Sequence, residues 1–208
     1  MKTKSIRLFA VLAAAVFNVS AESPKPAPEC CVAPLANTTN LARKSIYQLD
    51  AKFTTDGGRP FSLVELRGRP VVLLMFFASC GYACPLLVED VRSLRGKLPE
   101  GVRDRAAFVL VSFDSRRDTP EELAHYRQQR SLGEQWSLLH ADDEEVRELA
   151  ALIGVKFKRE ADGGFAHSNA ITLLNPEGEI VHQRIGLKGG LDEAALALAA
   201  TVQKNPSD

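Results

Sequence analysis

Methionine, cysteine and tryptophan are scarce in this 208-residue chain, with two, four and one copies. With only Met1 and Met75, a methionine-rich relay for soft metal ions is excluded. Four cysteines are too few for a scaffold stapled by disulfides. A basic excess is also missing. The 26 Lys+Arg match 26 Asp+Glu, so nothing in the charge balance suggests nucleic acid. There is no internal repeat, and the N-terminal apolar run, Leu8 to Phe17, has ten residues where a membrane span needs ~20.

That run does fit a secretory signal. Lys2, Lys4 and Arg7 precede it, and Val19-Ser20-Ala21 follows as a small-residue cleavage site. The expectation is a signal peptide over residues 1–21 and export to a periplasm, with inner-membrane anchoring if Ile6 to Ala21 stays uncleaved. No lipobox precedes Cys30, because Ala27-Pro28-Glu29 has the wrong residue types. Without residues 1–21 the chain keeps 23 basic and 26 acidic side chains, a net charge near −3. Residues 22–43 are rich in Pro, Ala and Asn and read as a flexible linker. Cys30 and Cys31 fall in it, and no role follows for them. The exported space permits disulfides. One domain, residues 44–205, is expected to follow.

Its pattern is α/β. Ile46–Leu49 and Lys52–Thr54 read as short strands of an N-terminal β-hairpin extension, with a turn signal at Asp56-Gly57-Gly58. Val71 to Phe77 is a continuous apolar run, as in a strand covered on both faces. Pro85 opens a helical pattern carrying Leu87, Val91 and Leu94. Ala107 to Phe113 is a second buried strand, ending on Asp114. Thr119-Pro120-Glu121-Glu122 is a capping box for a helix to about Arg130. Trp136–Leu139 suggests a short strand, and Asp142 to Glu145 the start of a helix with Val146, Leu149 and Ile153 on one face. Two hairpins follow, around Asp162-Gly163 and Asn175-Pro176-Glu177-Gly178, then a helix from Leu191 to Val202. A parallel βαβ unit closed by an antiparallel hairpin is the thioredoxin-like fold: a central mixed sheet flanked by helices.

In such sheets function gathers at the carboxyl ends of the parallel strands. Cys80 and Cys84 of FFASCGYACPLL (residues 76–87) follow the first buried strand, and His167 precedes the antiparallel strand from Ala170, so all three meet at one rim. With Pro85 at the first helical position, Cys84 would be the N-cap, where the helix dipole favours a thiolate of low pKa. Cys80 is close enough to close a reversible disulfide with it. Two thiolates and one imidazole form a soft set that suits Cu(I), while a structural zinc site would want a fourth protein ligand. His125, His140 and His182 read as surface or core residues. Asp118 reads as turn chemistry before the capping box. Asp114, at the rim, supports either the ligands or a partner.

FFASCGYACPLL, VLVSFDSRRDTPEEL and FAHSNAITLLNPEGEIV, in that order and spacing, resemble the SCO/SenC family of copper proteins, over roughly residues 44 to 204. The resemblance implies a thioredoxin-like domain that binds one copper ion, Cu(I) or Cu(II), through Cys80, Cys84 and His167. It implies a metallochaperone for cytochrome c oxidase, acting on the dinuclear copper centre of subunit II by delivering copper or reducing its cysteines. An upstream copper donor or thiol reductant, and a monomeric state, go with that reading. Three departures stand out: Gly81 where the family usually has proline, Ala166 where an aspartate commonly precedes the histidine, and a cleavable-looking N-terminus where many members keep an anchor. The client could therefore be another cuproenzyme. The rival readings are a periplasmic thiol-disulfide oxidoreductase and a redox sensor. Against the oxidoreductase, the spacing is C-x-x-x-C rather than C-x-x-C, and residues 167–170 contain no proline.

Overall fold

The computed structural model describes residues 44–202. The expected signal peptide, the expected linker with Cys30 and Cys31, and the last three residues of the expected domain lie outside the described residues.

Seven strands form one mixed sheet in the order β2-β1-β5-β4-β3-β8-β9. At its centre β3 (Val71–Phe76) and β4 (Ala107–Ser112) run parallel, every residue of both buried. The runs carry no polar alternation because both faces are covered. On one side of this pair, β5 (Trp136–His140) continues the parallel set. On the other, β8 (Ala170–Leu174) pairs antiparallel to β3 and β9 (Ile180–Ile185) antiparallel to β8. This is the thioredoxin-like arrangement that the element order predicts.

The helices are α1 (Ala83–Lys97), the short α2 (Glu100–Arg103), α3 (Pro120–Gln129), α4 (Asp143–Leu152) and α5 (Leu191–Val202). Helix α1 buries Leu87, Val88, Val91 and Leu94, an apolar stripe at helical spacing. It packs on α5, and the buried Asp90 of α1 pairs with Arg184 of β9 at 2.5 Å. Thr119 caps α3 by accepting the Glu122 N–H at 3.4 Å. Among the described residues no helix is long and apolar enough to cross a membrane.

The N-terminal hairpin exists, but its strands are β1 (Phe53–Thr55) and β2 (Pro60–Phe61), joined across Asp56-Gly57-Gly58. Ile46–Gln48 is a 3₁₀ turn, not the strand expected there. The Ser45 hydroxyl accepts the Tyr47 N–H and donates to the Glu177 carbonyl, and the Ile46 N–H donates to the Gly178 carbonyl at 2.9 Å. Docking against the β8–β9 turn outweighs the strand propensity of Ile and Tyr.

The last two strands, β6 (Phe157–Arg159) and β7 (Phe165–His167), pair only with each other among the described residues. Asp162-Gly163 makes their turn, with Gly163 at φ +83°, as the sequence suggests.

Candidate metal centre

The strand β3 ends at Phe76, and the chain turns through Ala78–Gly81 into α1. The Cys80 N–H bonds the Phe77 carbonyl at 3.2 Å, and the Cys84 N–H donates to Cys80 Sγ at 3.3 Å. The loop therefore folds Cys80 back over the first turn of the helix. His167 enters from the far end of β7. Its Nε2 lies 3.8 Å from Cys84 Sγ, and the three potential ligand atoms of Cys80, Cys84 and His167 all lie within 4.8 Å of one another. The rim thus brings together all three residues singled out in the sequence. They are the only such His/Cys/Asp/Glu group among the described residues.

The protonation pattern suits ligation. The Nδ1 of His167 is 3.2 Å from the Ser168 carbonyl, which can only accept. In the neutral ring this contact favours the proton on Nδ1, which leaves Nε2, the nitrogen nearest Cys84 Sγ, as the atom able to donate to a metal. The imidazole is held by rings: Phe113 at 5.2 Å between centroids and Phe77 edge-on at 6.0 Å. Phe113 also stacks on Phe157 at 5.1 Å and meets Phe165 at 5.0 Å. These rings form an aromatic floor on one side of the cluster.

Cys84 departs from expectation. It is the second residue of α1, with Tyr82 as N-cap and Pro85 third. Proline fits there because the first-turn N–H groups have no intrahelical partner anyway. The side chain is fully buried, and burial pushes the thiol well above its ordinary range. The nearby Cys80 and Asp118 add to the rise, while a hydrogen bond from the Phe77 backbone offsets part of it. The low-pKa thiolate expected from the helix dipole is not found in the metal-free protein; desolvation wins. Cys80 is partly exposed, so the cluster opens to solvent on its side.

Around the cluster, two aspartates have clearer roles than the sequence gives them. Asp118 is buried, and its Oδ2 accepts from the Ala78 N–H at 2.8 Å and the Ser112 hydroxyl at 2.5 Å. It ties the cysteine loop to the end of β4, which is more than a turn signal. Asp114 is wholly buried and pairs with Arg117 and, at 2.8 Å, with Arg159. The Asp114–Arg117 pair was readable from its i,i+3 spacing. Arg159 and the rings of Phe157 and Phe165 carried no local signal. His125 bonds Gln129 on α3, His140 bonds the Asp118 carbonyl, and His182 lies in β9, so none of these joins the cluster.

The departures at Gly81 and Ala166 are both surface matters. A Cβ at Gly81 would meet nothing within 4 Å, so crowding does not demand glycine there. Ala166 is exposed, so an aspartate at that position would face solvent or a partner rather than the core.

As donors, two sulfurs and an imidazole nitrogen of this spacing fit a soft monovalent ion of low coordination number. Comparisons with known proteins agree with the arrangement. A protein of Stutzerimonas stutzeri described as copper-binding is 32% identical over 159 residues, 74% of this chain and 76% of its own. The fold matches a protein of Aquifex aeolicus VF5 described as an electron transfer protein (TM-score 0.69, 24% identity, 80% of this chain and 98% of that one). It also matches ScoI of Bradyrhizobium japonicum, solved with copper bound (TM-score 0.61, 22% identity, 73% and 96%). The sequence profile of SCO1/SenC matches residues 41–202, essentially the whole described domain, and the chain belongs to the SCO1/SenC family.

Proposed function

We propose that this protein is an exported copper metallochaperone that carries one copper ion on Cys80, Cys84 and His167. The observation that carries the reading is the convergence of those three ligand atoms within 4.8 Å at the sheet rim, with His167 lying 83 residues beyond Cys84 in the chain. Copper is cargo in this reading. The two thiolates supply charge and softness for Cu(I), and the Nε2 of His167 supplies a third donor that also accommodates Cu(II). Cys80, the partly exposed ligand, is where a donor or an acceptor would exchange the ion.

The client is the dinuclear copper centre of cytochrome c oxidase subunit II or another cuproenzyme of the periplasm. Residues 1–21 direct export, and the domain acts as a monomer. Loading requires both thiols. A Cys80–Cys84 disulfide offers no thiolate and must first take two electrons and two protons from a dithiol reductant, which leaves as its own disulfide. The family resemblance and the copper-binding relative support the cargo. The C-x-x-x-C spacing weighs against a dedicated thiol-disulfide oxidoreductase.

Deletion of the protein in its host tests the role. Loss of copper-oxidase activity, restored by copper added to the medium, is the expected result. Loss restored by an added thiol reductant and not by copper would mark the protein as a reductase instead.

A further inference from the structure

The hairpin β6–β7 that carries His167 shares no ladder with the seven-stranded sheet among the described residues. The short link from His167 to β8, held where the Gly186 N–H donates to the Asn169 carbonyl at 2.8 Å, sets its approach to the rim, and side-chain contacts set how the rest of the hairpin lies against the sheet. The ring contacts of Phe113 with Phe157, Phe165 and His167 are adhesive but weakly directional. The directional contacts converge on Asp114. This wholly buried carboxylate accepts from Arg117 Nε and from Arg159 Nη2, the latter at 2.8 Å. Arg117 in turn donates through Nη2 to the Gly163 carbonyl at 2.5 Å. One carboxylate at the end of β4 thus gathers both a strand of the hairpin, through Arg159, and its turn, through Gly163.

We propose that Asp114, Arg117 and Arg159 form an ionic latch that holds the β6–β7 hairpin against the sheet and so positions His167 over Cys80 and Cys84. The proposal rests on the copper reading above and adds the residues that set the imidazole's share in the site. Asp114 is a positioning residue: it is not in the ligand cluster and acts through the hairpin. The arrangement suits the task. Charge-assisted hydrogen bonds are short and directional, so they fix a register that packed rings alone would let slide. Both guanidiniums are partly exposed, at 45% and 36%, but Asp114 is wholly buried, so replacing one arginine leaves its carboxylate paired with the other and replacing both would strand a buried charge. Arg159 also lies over the Phe165 ring at 4.5 Å, which couples the latch to the aromatic floor beneath His167.

The test uses the full chain carrying Asp114→Asn, Arg117→Gln and Arg159→Gln together, so that no buried charge is left unpaired, with Arg159→Lys alone as the conservative variant and His167→Ala as the control. Hydrogen–deuterium exchange of amides 157–167 is measured without metal. Cu(I) affinity is measured by competition, and imidazole nitrogen coupling by pulsed EPR of the Cu(II) form. The latch predicts faster exchange confined to the hairpin, weakened nitrogen coupling, and Cu(I) affinity lower by about 10–100-fold, approaching that of His167→Ala. Arg159→Lys should recover most of each. Wild-type exchange and wild-type nitrogen coupling in the triple variant would overturn the proposal. The exchange readout needs no copper, so it decides the latch even if His167→Ala leaves copper binding unchanged. That last result would sink the copper reading rather than the latch.

Discussion

The Nε2 of His167 lies 3.8 Å from the Sγ of Cys84, although 83 residues separate them in the chain. One residue is buried in the first turn of α1; the other ends a hairpin outside the main sheet. Their meeting depends on the parallel pair β3–β4 and the antiparallel β8, which send the cysteine loop and the approach to Ala170 to the same rim.

Because burial raises the Cys84 thiol, the reduced, metal-free protein should hold Cys84 protonated at neutral pH. Alkylation should then label Cys80 first, faster than Cys84 by at least about tenfold. Mass spectrometry of a timed reaction checks this. Equal labelling would mean that the loop opens far more readily than its packing suggests.

The same shift has a sign for metal binding. A ligand that must lose a proton binds more weakly in acid, so apparent Cu(I) affinity should rise with pH, about tenfold per unit for each proton displaced. Competition titrations across the neutral range measure the slope. A flat profile would mean that both ligand sulfurs are already thiolates in the free protein, against the burial of Cys84.

Asp118 predicts a second pH effect. Its carboxyl is raised chiefly by burial, against the opposing hydrogen bonds from Ser112 and the Ala78 backbone, so the folded state holds the proton better than the unfolded. The stability this contributes is present below the ordinary carboxyl range and is lost as pH rises through the elevated folded value. Asp118→Asn keeps an oxygen for the Ala78 N–H and the Ser112 hydroxyl but removes the titration. Denaturation at several pH values should therefore show wild type gaining on the variant as the solution is acidified from neutral. A difference that stays constant with pH would contradict the assignment.

How far the sequence reaches depends on whether the deciding contacts are local. β3 and β4 were legible because a strand buried on both faces leaves an unbroken apolar run, and the Asp162-Gly163 turn because Gly163 needs a positive φ. Thr119 and Glu122 mark the start of α3 by a contact three residues long. Ile46–Gln48 was misread because its conformation is decided by a turn more than 130 residues later. The environment of Cys84 was misread for a similar reason. Its dipole position is local, but the burial that overrides it is assembled by the whole fold. Asp114 stood out by its place at a strand end, yet its partner Arg159 lies 45 residues on and nothing near either residue announces the pair.

The turn that holds the Ser45–Tyr47 segment offers a stability test. Gly178 has φ +82°, and a Cβ there would lie 2.6 Å from the Tyr47 ring and 2.7 Å from Ser45 Oγ. Gly178→Ala should destabilise by more than about 1 kcal/mol, from strain and crowding together. Chemical denaturation gives the value. A neutral result would show that the Ser45–Tyr47 segment yields without cost.

Phe113 links β4 to the hairpin through three rings. Phe113→Ala should cost about 3–5 kcal/mol of stability, a large-to-small change in a dry cluster. A loss below about 1 kcal/mol would mean the cluster collapses around the gap.

The most direct measurement is a Cu(I) titration of the reduced protein beside Cys80→Ser, Cys84→Ser and His167→Ala. One ion should bind tightly, binding should be lost with either serine, and the alanine should weaken it by at least about tenfold. Weak binding that is indifferent to His167, together with brisk reduction of a model disulfide, would contradict the copper site and leave a thiol reductase.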